Sequence, residues 1–113
     1  MTSRDIIRGH LDLLVLSILR EGPSHGYAVA EELRTRSNGE FDLPEGTVYP
    51  ALYRLEEAGL LSSRWETQGG RPRRVYEVTS KGRKALTLRH EEWVVFCGAV
   101  EAILGKQSWP TPA

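Results

Sequence analysis

Apolar residues recur at helical spacing from Leu11 to Leu55, alternate with polar ones from Leu61 to Val78, and return to a helical repeat from Leu86 onward. Those periods, in that order, predict helices, then a strand pair, then one long helix. In the first stretch Leu11, Leu14, Val15, Ile18 and Leu19 form a broad stripe, and Leu13 and Leu16 add apolar surface beyond it. The predicted helix runs from Ile6 or Gly9 to Arg20, where Gly22-Pro23 ends it because proline cannot continue the ladder. A helix so apolar on several sides is expected to lend part of its surface to another subunit. Ser24 reads as the N-cap of a second helix, His25 to Arg36, with Gly26, Val29, Ala30 and Leu33 facing inward. Ser37-Asn38-Gly39 supplies a stop and a turn.

The stretch LPEGTVYPALYRLEEAGLL, residues 43–61, carries the third helix. Val48, Leu52 and Leu55 would bury one stripe, whereas Thr47, Pro50 and Arg54 share another face, flanked by Tyr49 and Tyr53. A solvated helix surface normally carries lysine and glutamate. This one offers a hydroxyl, a proline, two phenols and a guanidinium, which suits phosphates, sugars and base edges. The competing reading is a core helix with amphipathic tyrosines. Pro50 removes a backbone bond, so the regular helix either starts near Gly46 or Thr47 or is kinked there. In both cases Thr47, Tyr49 and Pro50 lie near the helix N-terminus, the end that favours anions and points at base edges.

From Leu61 the period is two: Leu61, Ser63, Trp65 and Thr67 alternate with Ser62, Arg64 and Glu66. After the glycine-rich Gln68-Gly69-Gly70-Arg71-Pro72, the run Arg73 to Val78 puts Arg74, Tyr76 and Val78 on one face. The expected hairpin has its tip loaded with Arg71, Arg73 and Arg74. Three helices followed by such a ribbon predict a mainly α fold with a small β-hairpin, a winged helix-turn-helix, in which the third helix enters the major groove and the wing touches backbone or minor groove.

Thr79 is the expected N-cap of a final helix reaching about Gly105, in which Leu86, Trp93 and Val100 recur every seven residues, as do Arg89, Phe96 and Ile103, with Cys97 and Leu104 alongside. That is longer than a three-helix core needs. Its far half has little left in the chain to pack against except the outer side of the first helix, so a homodimer is expected through Leu11, Leu14, Leu86, Trp93, Val100, Ile103 and Leu104. The division follows: residues 1–79 form a winged-helix DNA-binding domain, residues 80–105 a C-terminal dimerisation helix, and residues 106–113 a flexible tail.

Composition sharpens this in one respect. Fifteen basic and fifteen acidic residues cancel over the 113-residue chain, yet Arg64 to Arg89 holds eight basic residues against two acids, a local net of +6 balanced by −6 elsewhere. A basic patch on an acidic body is what a polyanion-binding face requires. The single Cys97 forbids an intrachain disulfide and fits a reducing cytoplasm. Arg4 and Arg8 before the run Leu11 to Leu19 resemble a secretion signal, but Asp12 interrupts the run, and no segment approaches the roughly 20 apolar residues that cross a bilayer. A soluble cytoplasmic protein without a membrane partner is expected. His10, His25, His90 and Cys97 are too scattered for a zinc motif, so no metal and no cofactor are expected. With no phosphate-binding glycine loop, nucleophile elbow or paired carboxylates, nothing points to an enzyme.

The segments LDLLVLSILREGPSHGYAVAEEL, LPEGTVYPALYRLEEAGLL and GGRPRRVYEVTSKGRKAL, in this order and with these gaps, resemble the PadR family of bacterial transcriptional regulators over about residues 9–90. The chain is similar to the short subfamily with a single C-terminal dimerisation helix. The resemblance implies a dimeric winged-helix repressor that binds a palindromic operator in double-stranded DNA and is released by a small effector. Carried over by motif, Tyr27, Thr47, Tyr49, Pro50 and Arg54 fall at positions that resemble DNA-contacting ones, with Arg71, Arg73 and Arg74 in the wing. Tyr53, flanking the same face of the third helix, is expected to join them. Two copies of Trp93 near a dimer axis, with Phe96 and Cys97 beside them, could stack a flat aromatic effector, although core packing competes for the same residues. The competing functional class is a winged-helix protein-interaction module that does not bind DNA, for which three wing arginines would be superfluous.

Overall fold

The computed structural model describes residues 10–106 and 108–110. Helix α1 (Leu11–Leu19) is followed by a two-residue strand β1 (Ser24–His25), helix α2 (Gly26–Arg36), helix α3 (Glu45–Glu57), strands β2 (Leu61–Gln68) and β3 (Arg71–Val78), and helix α4 (Ser80–Leu104). The expected start of the first helix at Ile6 or Gly9 lies outside the described residues, as do Gln107 and residues 111–113 of the tail. Trp109, which lay in the expected flexible tail, donates its indole N–H to the Leu104 carbonyl at 2.8 Å.

One correction concerns the start of α2. Ser24 does not cap it; Ser24 and His25 pair with Tyr76 and Val75 as a third, edge strand, and the cap passes to His25, whose Nδ1 accepts from the Ala28 amide at 3.3 Å. The sheet order is β1-β3-β2, all antiparallel. A second correction concerns the hairpin. Its loop is only Gly69-Gly70, both at positive φ (57° and 79°), as a tight two-residue turn matched to strand twist requires. The strands therefore continue to Gln68 and Arg71, and Pro72 lies inside β3 opposite Thr67. Only Arg71 stands at the tip; Arg73 and Arg74 face Glu66 and Trp65 across the ladder.

The core gathers the inward stripes of all elements: Val15, Leu16 and Leu19 of α1, Val29 and Leu33 of α2, Val48, Leu52 and Leu55 of α3, Tyr76 and Val78 of β3, and Leu86 of α4. Each such side chain contributes on the order of 1.5–3 kcal/mol by leaving water. Phe41 and Leu43 pack against this cluster from the α2–α3 connection. The principal extents are 56 × 32 × 21 Å and the radius of gyration is 16.3 Å, above the ~13 Å of a compact domain of this size. The excess comes from α4, whose 25 residues span about 37 Å. Among the described residues no helix is long and apolar enough to cross a membrane.

The end of α3 and the start of α4 are locked together. The Thr79 hydroxyl donates to the Gly59 carbonyl (2.7 Å) and accepts from the Gly82 amide (3.0 Å); the Thr79 amide donates to the Leu60 carbonyl (3.1 Å), and Lys81 Nζ to the Ala58 carbonyl (2.9 Å). Gly82 packs so close to Leu60 that a Cβ would overlap the Leu60 carbonyl oxygen and stand 2.8 Å from Val78 Cγ1. Backbone cannot yield as a flexible side chain does. Gly82→Ala is therefore expected to lower the unfolding free energy by about 2–3 kcal/mol, read from the urea midpoint at unchanged slope; wild-type stability in this variant would show that the crossing can widen freely.

Candidate nucleic-acid interface

Helix α3 opens on Pro44, which carries no side-chain cap, with Glu45 in the first turn. The amides of Thr47 and Val48 both bond back to the Pro44 carbonyl (2.9 and 3.2 Å). Ahead of them, at the first turn, lie orphan amide donors with no side chain to satisfy them. An uncapped N-terminus of this kind, at the positive end of the helix dipole, is suited to a phosphate. Pro50 sits inside the helix, which runs through it unbroken from Glu45. Of the outward residues, Pro50, Tyr53 and Arg54 are exposed, and Thr47 and Tyr49 are half-buried.

Tyr49 is half-buried because it packs onto α2. Its ring crowds the point where a Cβ on Gly26 would be, 2.6 Å from it. Burial chiefly, then Glu45 and Tyr53, push its phenol up from the ordinary value. Tyr53 follows at 6.2 Å between ring centroids and Tyr27 stacks on His25 at 6.5 Å; both are more than half exposed. His25 and Tyr27 at the start of α2, with Tyr49 and Tyr53 along α3, thus make one rim. Arg73 Nη1 closes it at 3.4 Å from both ring nitrogens of His25.

The arginines divide sharply. Arg71, at the wing tip, has no carboxylate partner among the described residues and is exposed. Arg74 is turned back towards α3: Nε donates to Ser63 Oγ at 2.8 Å, Ser63 donates to Glu56 at 2.5 Å, an Nη2 lies 3.4 Å from Glu56, and the guanidinium sits 5.6 Å above the exposed Trp65 ring. Arg54 Nη2 holds Asp12 Oδ1 of α1 at 2.6 Å, and Arg89 Nη1 approaches the other Asp12 oxygen at 3.6 Å. Arg54 and Arg74, expected among the DNA-contacting residues, each hold a carboxylate within the chain. Sequence reading missed Asp12 and Glu56, their partners, and His25, whose signal was its place directly before the Gly-Tyr-Ala opening of α2.

The Transcriptional regulator PadR-like family model matches residues 15–88. This chain belongs to the PadR family. It is 39% identical over 84 residues to the transcriptional regulator Rv3488 of Mycobacterium tuberculosis, covering 74% of this chain and 76% of that one. Among solved structures it is similar to a PadR family transcriptional regulator from Eggerthella lenta (37% identity, TM-score 0.80, covering 91% of this chain and 88% of the other). It is likewise similar to a transcriptional regulator from Clostridium thermocellum (31%, TM-score 0.82, 90% and 97%). The winged helix with its C-terminal helix is thus the PadR fold.

In this PadR chain the residues expected at a dimer interface split by burial. Leu11 and Leu86 are 5% and 6% exposed, buried in the single chain's own core, so they offer a second copy no surface. Leu14 and Val100 are half-buried, whereas Trp93, Ile103 and Leu104 are exposed, together with Val94, Val95 and Phe96. Trp93 stacks on Phe96 at 6.0 Å and meets the edge of His10 at 4.8 Å. These three, with Leu13, Arg89 and Glu92, line an open groove of about 620 Å³ between α1 and α4; Cys97 is half-buried and does not line it.

His25 yields a pH dependence. Burial first, and Arg73 second, hold its pKa below the ordinary 6.5, so the folded chain keeps the ring neutral and its Nδ1 free to accept. A depressed folded pKa contributes stability that is present above the unfolded value and lost as pH falls through the folded one. The urea midpoint is expected to fall between pH 7 and pH 5, and His25→Asn, which caps without titrating, should flatten that part of the profile. An equally steep profile in the variant would remove His25 as its source.

Proposed function

We propose that this PadR-family regulator is a homodimeric, sequence-specific DNA-binding repressor. In this reading α3 enters the major groove, Arg71 reaches the backbone or minor groove, and two copies span an inverted repeat. The observation that carries it is the uncapped N-terminus of α3, opening within a rim of Tyr27, Tyr49, Tyr53 and Arg73. The dimer reading is supported by the exposed apolar run from Trp93 to Phe96 with Ile103 and Leu104, too large to leave in water. A small flat aromatic effector is assigned to the groove at Trp93 and Phe96, and release follows when it favours a dimer whose recognition helices no longer match grooves about 34 Å apart. A regulator of this kind works in the cytoplasm, on the DNA itself.

Roles within the face follow from the ion pairs. Thr47, Pro50, Tyr53 and Tyr27 meet the duplex, Arg71 meets phosphate, and Arg54 and Arg74 hold α3 in place through Asp12 and Glu56. Selection of bound sequences from random duplex DNA is expected to return an inverted repeat; no enrichment, or a lone half-site, would sink the dimeric reading. In salt titrations the log–log slope should lose about 0.9 per phosphate contact removed. Arg71→Ala should show that loss in each subunit, whereas Arg54→Ala should weaken all duplexes alike. A change of preferred sequence in Arg54→Ala would instead make it a base reader.

A further inference from the structure

Six of the ten described arginines are paired with a carboxylate within the chain. Arg34, Arg36, Arg54, Arg64, Arg74 and Arg89 each hold a carboxylate, and Arg73 lies against His25. Arg20, Arg71 and Arg83, like Arg73, hold no carboxylate among the described residues. Arg71 is the wing tip. The other two open on one groove of about 550 Å³, between the C-terminal end of α1 and the first half of α4.

Its walls follow from helical spacing. Ser17 and Arg20 stand three apart on α1; Arg83, Thr87 and His90 stand at i, i+4 and i+7 on α4, one face of that helix. Leu86, buried, closes the floor. Glu21 stands beside Arg20 and feels its charge, but Arg36 holds both Glu21 oxygens. Thr87 gives its proton to the Arg83 carbonyl at 3.1 Å. The donors that remain are two guanidiniums, the Ser17 hydroxyl and the His90 imidazole, arriving from opposite walls. Neither Arg20 nor Arg83 holds a carboxylate, so both guanidinium forks are open to an anion.

We propose that this groove binds a small molecule carrying a phosphoryl group. One arginine fork satisfies a planar carboxylate. Donors converging from two helices instead suit a tetrahedral oxyanion with three acceptor oxygens. The groove is larger than inorganic phosphate, and the Leu86 floor receives the remainder of the ligand. No residue of α2, α3 or the wing lines it, so it is separate from the proposed DNA face; it is also separate from the Trp93 groove, with which it shares no residue.

The test uses the full chain and inorganic phosphate, with chloride at matched ionic strength as reference and acetate as the carboxylate comparator. Thermal unfolding should rise saturably with phosphate and less with acetate. Arg20→Gln and Arg83→Gln should each weaken phosphate affinity by about tenfold or more, while Lys84→Gln, on the same helix but outside the groove, should not. Arg20 sits at an exposed helix end, so its variant remains informative if the Arg83 variant folds poorly. A response equal to chloride, or one unchanged in both arginine variants, would overturn the site. Loss of duplex affinity or of self-association in those variants, without any phosphate binding, would overturn it too, and would assign the groove to the DNA backbone or to a second copy.

Discussion

The crossing of Gly82 over the Leu60 carbonyl is the contact on which the rest depends. It brings the first turn of α4 against the segment that closes α3, and three hydrogen bonds from Thr79 and Lys81 then take the Ala58, Gly59 and Leu60 carbonyls just beyond that helix. A helix C-terminus normally leaves such carbonyls to water. Here they belong to the next helix, so α3 cannot tilt without carrying α4. The wing hangs between the same two ends, with Leu61 paired to Val78 at its root. Helix α3, the wing and the C-terminal helix are one mechanical piece at this joint.

A second tie runs on the other side of α3. Asp12 of α1 faces Arg54 of α3 and Arg89 of α4, so one carboxylate joins three helices. Exposed pairs of this sort contribute little stability, about 0–1 kcal/mol each. Burial of Val48, Leu52 and Leu55 outweighs them and holds α3 to the core. What the pairs contribute is direction: they fix the rotation of a helix whose depth is already set by its apolar stripe. The same division applies to Glu56, which orders Ser63 and Arg74 at the base of the wing.

Periodicity made the elements legible because burial is periodic. Val48, Leu52 and Leu55 are buried, the alternation from Leu61 is a strand, and Thr79 caps α4 as its hydroxyl and position predict. Pairing across elements was not legible. Arg54 and Arg74 look like free cations on their own segments, and their partners lie 42 and 18 residues away, at places only the folded chain brings together. Ser24 fits a cap by residue type, but the vacant edge of β3 takes Ser24 and His25 as a strand, and the next residue able to accept from an amide is His25. Leu11 and Leu86 repeat on the same stripes as exposed neighbours; whether a stripe position faces the chain's own core or a second chain depends on where two helices diverge, which spacing alone does not encode.

That divergence explains the shape of the C-terminal helix. Near Leu86 it is packed into the core; from Val94 onward its apolar residues are open. A rod about 37 Å long, fixed at one end to the recognition helix, is a lever. If the far ends of two such rods pack together, a rotation of about 10° at that packing moves the near end by about 6 Å, more than the 3.4 Å step between base pairs along one strand. Small repacking around Trp93 would then be large on the scale that DNA reads. Such amplification requires a stiff joint, because a hinge between Leu60 and Gly82 would absorb the rotation before it reached Thr47. The tight glycine crossing and its hydrogen bonds supply that stiffness, and this gives a physical reason for a glycine, rather than a better helix former, in the first turn of the longest helix.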